Sequence, residues 1–221
     1  MLYGLVGAGG FGREVMPLAE AMLGSQFPRD SYEIVFVEES IPSLNKLNDY
    51  RMMSVDEFFS HPARQKFFNV AISNSASRRK MVEIMLARGA KSFRIEAINV
   101  MNLVANQIDE GAILCGFSAI TANAVIGKYF HGNIYSYVAH DCVIGDYVTF
   151  APNVHCNGNV VIEDDVYVGA GAMIRQGSPE KPLVIGRGAV IGMGAVVVKD
   201  VSPFETVVGN PARPLRSRQI A

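Results

Sequence analysis

His140 stands beside Asp141 in the run Tyr137-Val138-Ala139-His140-Asp141-Cys142-Val143-Ile144-Gly145. An imidazole next to a carboxylate can serve as a general base whose basicity the carboxylate supports. A surface histidine bonded to a neighbouring turn would look the same, and spacing alone leaves both readings open. Eighteen residues on comes Asn157-Gly158-Asn159. A glycine there either leaves room for a ligand and presents a backbone N–H to a developing oxyanion, or is a plain turn residue. The remaining histidines are read as structural. His61 precedes Pro62 in a polar stretch and is expected at the surface, while His131 and His155 each fall one residue before an inward-facing position.

A second chemistry-bearing run opens the chain. Gly7-x-Gly9-x-x-Gly12 lies between an apolar strand, Tyr3 to Val6, and a helical pattern from Arg13 to about Leu23. Such glycines allow a tight turn and let the backbone approach a phosphate at a helix N-terminus. Glu38-Glu39 closes a second predicted strand, where a ribose hydroxyl could be held. The motif favours a nucleotide or nucleotide-sugar over a nicotinamide dinucleotide, because the first domain is too short for a six-stranded dinucleotide fold. A purely structural turn is the remaining alternative.

Two architectures must carry these residues. Over residues 1–98, strands at Glu33–Val37 and Phe67–Ile72 and a helix over Ser77–Ala87 follow the first strand and helix. This alternation predicts a small parallel-sheet, Rossmann-like α/β domain. Phe93 to Ile98 is expected to add a last strand and lead onward. From Ile108 a residue recurs every six positions, as Ile108, Leu114, Ile120, Ile126, Gly132, Val138, Ile144, Phe150, Cys156, Ile162, Val168 and Ile174; all but Gly132 are apolar. Neither a helix nor an ordinary strand has period six. One inward side chain per short strand-and-turn unit means a parallel β-helix, predicted over residues 99–221. The pattern resumes five residues out of register at Ile185, so Gln176 to Pro182 is read as a loop extruded from the helix, on a face often used for binding. Pro211 and Pro214 are expected to end the repeat. Arg213, Arg216 and Arg218 form a basic tail or meet a ligand phosphate.

The net charge of -1 argues against a nucleic-acid or anionic-membrane partner. No apolar run reaches the ~20 residues that span a bilayer. Cys115, Cys142 and Cys156 all count as inward positions, and no CxxC spacing suggests metal or redox chemistry. A soluble, reduced, cytoplasmic protein without a metal is expected.

Three runs carry a resemblance over essentially the whole chain. Gly7-Ala8-Gly9-Gly10-Phe11-Gly12-Arg13-Glu14, His140-Asp141-Cys142-Val143-Ile144-Gly145-Asp146 and Gly209-Asn210-Pro211-Ala212 resemble, in order, motifs of the nucleotide-linked amino-sugar N-acetyltransferases. These are hexapeptide-repeat acyltransferases with a left-handed β-helix. The run from Phe130 to Asp141 is most similar to the GDP-perosamine N-acetyltransferases, enzymes of O-antigen and lipopolysaccharide synthesis. The resemblance implies a homotrimer with its sites at clefts between subunits and acetyl-CoA lying along the β-helix. It also implies roles: His140 as base supported by Asp141; Gly9, Gly10 and Phe11 at the nucleotide; Glu38, Glu39 and Ser73 near base or ribose; Asn133 near the sugar; Gly158, Ala170 and Met193 along the acetyl-CoA path. Some relatives carry a cofactor-touching histidine where this chain has Thr149. The implied reaction is acetyl transfer from acetyl-CoA to the C4 amine of a GDP-linked 4-amino-4,6-dideoxyhexose. O-acetylation of a sialic acid or similar sugar is one alternative, and a non-catalytic sugar-binding β-helix is another.

Overall fold

The computed structural model describes residues 1–40 and 44–215. The chain divides into two units, Met1–Ile98 with Glu110–Cys115, and Asn99–Asp109 with Gly116 onward. In the first unit, β1 (Leu2–Val6) is buried along its whole length, as a strand covered on both faces must be. It pairs in parallel with β2 (Glu33–Glu38) on one side and β5 (Lys66–Val70) on the other. Helix α1 (Gly10–Gln26) joins β1 to β2 and buries Val15, Met16, Ala19 and Leu23, a 3–4 spacing that gives it one apolar face. Beyond β2 lies a hairpin of β3 (Lys46–Leu47) and β4 (Tyr50–Ser54), turned by Asn48 and Asp49 with φ of 47° and 67°. Helix α2 (Val55–Ser60) starts on a capping box between Ser54 and Glu57. Helix α3 (Ser75–Ala87) then leads to β6 (Lys91–Ser92), giving six strands in the order β3-β4-β2-β1-β5-β6, more than a domain this short was expected to hold because β3 and β6 have only two residues each. The order reverses between β1 and β5, and in open parallel sheets ligands bind beyond the strand ends at such a switch.

The hairpin and α2 were not expected from sequence; the four-residue span from Ser54 to Glu57 was the available signal. Two further corrections concern this unit. Ile95–Glu96 pairs not with the sheet but with Ile113–Leu114. Cys115, counted as an inward residue of the repeat, instead packs with Tyr3, Val15, Met16, Ile95 and Ile113 in the unit's core. Its neighbour Leu114 holds the inward position, and alternation along the strand turns Cys115 to the other face.

The second unit winds as a parallel β-helix. In one sheet, strands Ala119–Ala122, Tyr137–Val138, His155–Cys156 and Met173–Ile174 stack in register, and the other sheets repeat the pattern. The predicted inward residues from Ile120 to Ile174 are all buried. Each turn is made by a residue with left-handed φ, and these too recur every six positions: Phe117, Asn123, Tyr129, Tyr135, Asp141, Tyr147, Asn153, Asn159 and Asp165, all between 53° and 63°. Left-handed backbone costs a residue with a Cβ roughly 1–2 kcal/mol. Asn and Asp tolerate it best, and the aromatics here offset it by stacking on the coil next door, Phe117 on Tyr135 at 5.1 Å and Tyr129 on Tyr147 at 5.3 Å. The residue just before each of these turn positions stands at a corner of the coil. That rule positions His140.

The insertion falls where expected. Ile144 pairs with Ile162, but Ile162 pairs with Ile185, so residues 176–182 leave the coil. The prolines do not simply end the repeat. Strand Thr206–Val208 pairs in parallel with Val190–Ile191, and the chain then reverses through a cis Asn210–Pro211 bond to add Arg213–Pro214 as an antiparallel strand. Arg216 and Arg218 lie outside the described residues. Among those described, no helix is long and apolar enough to cross a membrane.

Candidate active site

His140 and Asp141 meet through their side chains. Imidazole Nδ1 lies 2.8 Å from Asp141 Oδ2, with the side chains 46% and 48% exposed. The corner geometry explains the contact. Asp141, at φ 57°, turns the chain, so its carboxylate swings back alongside the preceding side chain. Asn123, one coil away at the same corner, donates Nδ2 to Asp141 Oδ1 at 3.2 Å. The hydrogen bond with His140, and after it that with Asn123, holds the Asp141 carboxyl below the usual carboxylate range. A carboxylate facing Nδ1 fixes the proton there and leaves the Nε2 lone pair outward, the tautomer a base requires.

On the next coil, Asn159 N–H donates to the His140 carbonyl at 3.0 Å, which seats Gly158 directly against the imidazole. A Cβ on Gly158 would stand 2.5 Å from Cε1 and Nε2 of His140. Glycine is therefore required for the ring's position. Behind the corner, Cys142 Sγ donates to the Asn157 carbonyl at 3.1 Å and lies 4.0 Å from Cys156 Sγ. That contact and burial push the Cys156 thiol well above its ordinary value, and burial pushes Cys115 up to about 12. Buried protonated thiols are poor acyl acceptors. Asn123, Asn157 and Tyr137, whose hydroxyl donates to Asn157 Oδ1 at 2.8 Å, were not anticipated. The eighteen-residue spacing of Asn123, Asp141 and Asn159 was the signal for the first.

The other predicted β-helix residues lie elsewhere on the coil. Ala170 and Met193 share a different corner from His140, each just before a left-handed glycine, with Gly194 N–H donating to the Ala170 carbonyl at 2.9 Å. Met193 is 81% exposed. Asn133 is at that same corner, its Oδ1 accepting from Ile134 N–H at 2.6 Å and its carbonyl accepting from the Ser136 hydroxyl at 2.6 Å. Thr149 is only 5% exposed, in a strand between His131 and Tyr167. His131 is buried as a structural residue, and His155 bonds Asn153 at 3.1 Å.

In the first unit, Gly9 caps α1, and a Cβ on Gly9 or Gly10 would meet nothing within 4 Å. The glycines that the fold itself demands are Gly7, at φ 98°, and Gly12, whose Cβ would collide with the Gly7 carbonyl. Phe11 is half-buried against the core. Glu38 is committed to the loop, its Oε1 accepting from Ala8 N–H at 2.7 Å. Glu39 pairs with Lys80 at 2.6 Å. Ser73 is exposed between β5 and α3. His61, expected at the surface, is half-buried and faces Glu33 at 3.4 Å. Arg213 donates to the Ala212 carbonyl. Among the described residues, no cluster of three or more His, Cys, Asp or Glu side chains could hold a metal ion.

No family model matches the chain. It is 47% identical over 215 residues, 97% of its own length and 96% of the other's, to a GDP-perosamine N-acetyltransferase of Escherichia coli O157:H7. The solved structure of WeeI from Acinetobacter baumannii AYE superposes with a TM-score of 0.92 at 48% identity, covering 97% of this chain and all of that one. The acetyltransferase domain of PglB from Neisseria gonorrhoeae FA1090, solved with acetyl coenzyme A, superposes with a TM-score of 0.83 at 29% identity, covering 97% and 98%.

Proposed function

The chain belongs to the GDP-perosamine N-acetyltransferase family of hexapeptide-repeat acetyltransferases, and from that premise we propose that it moves the acetyl group of acetyl-CoA to the C4 amine of a GDP-linked 4-amino-4,6-dideoxyhexose. The observation that carries this reading is the His140–Asp141 pair, fixed at 2.8 Å at an exposed corner and backed by Gly158. An ammonium cannot attack a thioester. His140 Nε2 takes the amine proton as nitrogen attacks the thioester carbon, and Asp141 stabilises the imidazolium that forms. The Gly158 N–H, next to the ring, is the backbone donor for the tetrahedral oxyanion; the neighbouring Asn159 N–H is already given to the His140 carbonyl. Collapse expels CoA thiolate, which leaves with the proton, and the amide remains. No covalent enzyme intermediate is needed, because the amine is itself a good nucleophile.

Residues 1–98, a Rossmann-like domain in this reading, hold the nucleotide-sugar at the open loop of Gly9 and Gly10. Residues 99–221, read as a left-handed β-helix, carry the transfer. The active assembly is a homotrimer. Support comes from Ala170, Met193 and Asn133 standing at a different corner from His140 and Gly158, so one chain supplies two walls that do not face each other. The three cysteines, none in a disulfide, suit the cytoplasm as the place of the reaction.

The test is a screen of GDP-, UDP- and dTDP-linked amino sugars with acetyl-CoA. Thiol release with a product heavier by one acetyl group, for the GDP sugar above the others, supports the reading. No thiol release with any amino sugar would refute it, and acetylation of hydroxyls alone would favour the O-acetyltransferase.

A further inference from the structure

Cys142 is a buried thiol that acetyl transfer does not use as a nucleophile, and its contacts converge on one turn. Its Sγ donates to the Asn157 carbonyl at 3.1 Å, closer than the His140 carbonyl at 3.7 Å or Cys156 Sγ at 4.0 Å. A thiol has a single proton, so the Asn157 carbonyl takes it. The backbone of Val160 hydrogen-bonds the same sulfur. One side chain therefore bridges both ends of Asn157-Gly158-Asn159-Val160, the turn that bears Gly158.

The other polar groups of this turn are tied down as well. The Tyr137 hydroxyl donates to Asn157 Oδ1 at 2.8 Å, and Asn157 Nδ2 donates to the Ile174 carbonyl at 2.8 Å. Gly177 N–H donates to the Gly158 carbonyl at 3.0 Å. One group is left over. Gly158 is buried against the His140 ring, yet among the described residues no acceptor takes its N–H. A trans peptide is planar, so its C=O and N–H point in opposite directions. The Asn157 carbonyl is drawn inward, toward two buried thiols, with Cys156 Sγ at 3.8 Å as the more distant. The N–H across the same peptide bond therefore points away from the core, at the corner where His140 stands.

We infer that Cys142 is a positioning residue for acetyl transfer: by holding the Asn157 carbonyl inward, its thiol sets the peptide plane that aims the Gly158 N–H at the thioester oxygen. The inference rests on the reading of that N–H as the oxyanion donor. Cys142 touches neither substrate in this account, and it acts only through the peptide between Asn157 and Gly158. A preorganised donor is worth most where it needs no reorientation as charge develops, and a hydrogen bond from the core supplies that fixity to a glycine whose own backbone is permissive.

The experiment compares Cys142→Ala and Cys142→Ser in the full chain. Serine keeps a donor and alanine removes it. In Cys142→Ala kcat should fall on the order of tenfold, short of the ~10²–10³ of losing an oxyanion donor outright, with KM for both substrates unchanged. Cys142→Ser should regain most of that rate. A packing role predicts the opposite order, because alanine imitates a small buried hydrophobe better than a hydroxyl does. The acid limb of the pH–rate profile should stay in place, since the contact between His140 and Asp141 is untouched; a shifted limb would mean that the thiol acts through His140 and would overturn the assignment. Asn157-Gly158 is the one Asn-Gly pair in the sequence, so labelling asparagine carbonyl carbons and glycine nitrogens with NMR-active isotopes isolates the Gly158 amide. Its resonance should move in Cys142→Ala and return in Cys142→Ser. Full kcat in Cys142→Ala overturns the assignment, and the amide shows which premise failed. A displaced amide means that the Gly158 N–H is not the oxyanion donor; an undisturbed one means that the thiol does not hold the peptide. If the wild type transfers no acetyl group, the acetyltransferase reading itself has failed and the resonance alone decides the clamp: movement and return support it, and an unmoved amide overturns it.

Discussion

A Cβ on Gly158 would stand 2.5 Å from both Cε1 and Nε2 of His140, so the glycine on one coil sets where the imidazole on the coil before it can lie. Gly158 has no left-handed backbone that would forbid a side chain. Gly158→Ala should therefore fold normally but push the ring aside. Misplacing a catalytic group by about 1 Å can cost ~10²-fold, and kcat should fall 10- to 100-fold by about that logic. His140→Ala should cost ~10²–10⁴ in kcat. Both should keep the wild-type melting temperature, since His140 is half exposed and leaves no cavity. A Gly158→Ala enzyme at full kcat would mean that the ring position does not matter.

The Asp141 carboxyl titrates below its ordinary value, chiefly because of His140. A group depressed in the folded state contributes stability that is present above its unfolded pKa, about 3.9, and is lost as pH falls through the folded value. Carbon-detected NMR of the Asp141 carboxyl should follow this titration. In His140→Ala the midpoint should rise toward the ordinary value but not fully reach it, because the Asn123 bond at 3.2 Å remains. An unmoved midpoint would show that the two side chains do not interact in solution.

In the glycine loop, open space separates binding from folding. Gly9→Val and Gly10→Val each place a Cβ where nothing lies within 4 Å, so the melting temperature should hold. KM for the nucleotide-sugar should rise while KM for acetyl-CoA does not, because the added groups stand where a phosphate would approach the N-terminus of α1. Gly12→Ala should do the reverse and lower stability, since its Cβ runs into the Gly7 carbonyl. Equal loss for both substrates in the Gly9 and Gly10 variants would remove the binding role.

Why some of this was legible and some was not has physical reasons. A β-helix admits one inward side chain per six residues, so its period is written in the positions from Ile120 to Ile174. The same period puts His140 at a corner before anything else is known. The loop after Ile174 shows as a register error. By contrast, the Glu38 contact with Ala8 N–H depends on how closely β1 and β2 approach, and the Lys80 partner of Glu39 comes from another element. Local sequence carries no trace of either partner. The hairpin at Lys46–Ser54 was missed because two-residue β3 is too short to show alternation, and its turn of Asn48-Asp49 lacks the glycine that usually marks one. Cys115 was misplaced by counting a near neighbour of Leu114 as its equal.

The last prediction concerns assembly. His140 and Gly158 share one corner of the β-helix; Ala170 and Met193 share another. A single flat-sided coil cannot bring two of its own corners together around a long ligand. A closed threefold ring can, because it repeats one heterologous contact and sets one corner of each copy against a different corner of the next. Sedimentation equilibrium should give a mass near three times the 24.0 kDa chain. Co-expressing His140→Ala with Ala170→Trp, each inactive alone, should restore activity. With random mixing, roughly one cleft in four pairs an intact His140 corner with an intact Ala170 corner, and the regained rate should be about that share of wild type. The remaining clefts carry at least one damaged wall and contribute nothing. No rescue in trimers shown by mass spectrometry to be mixed, or a fully active monomer, would mean that each chain holds a complete site by itself.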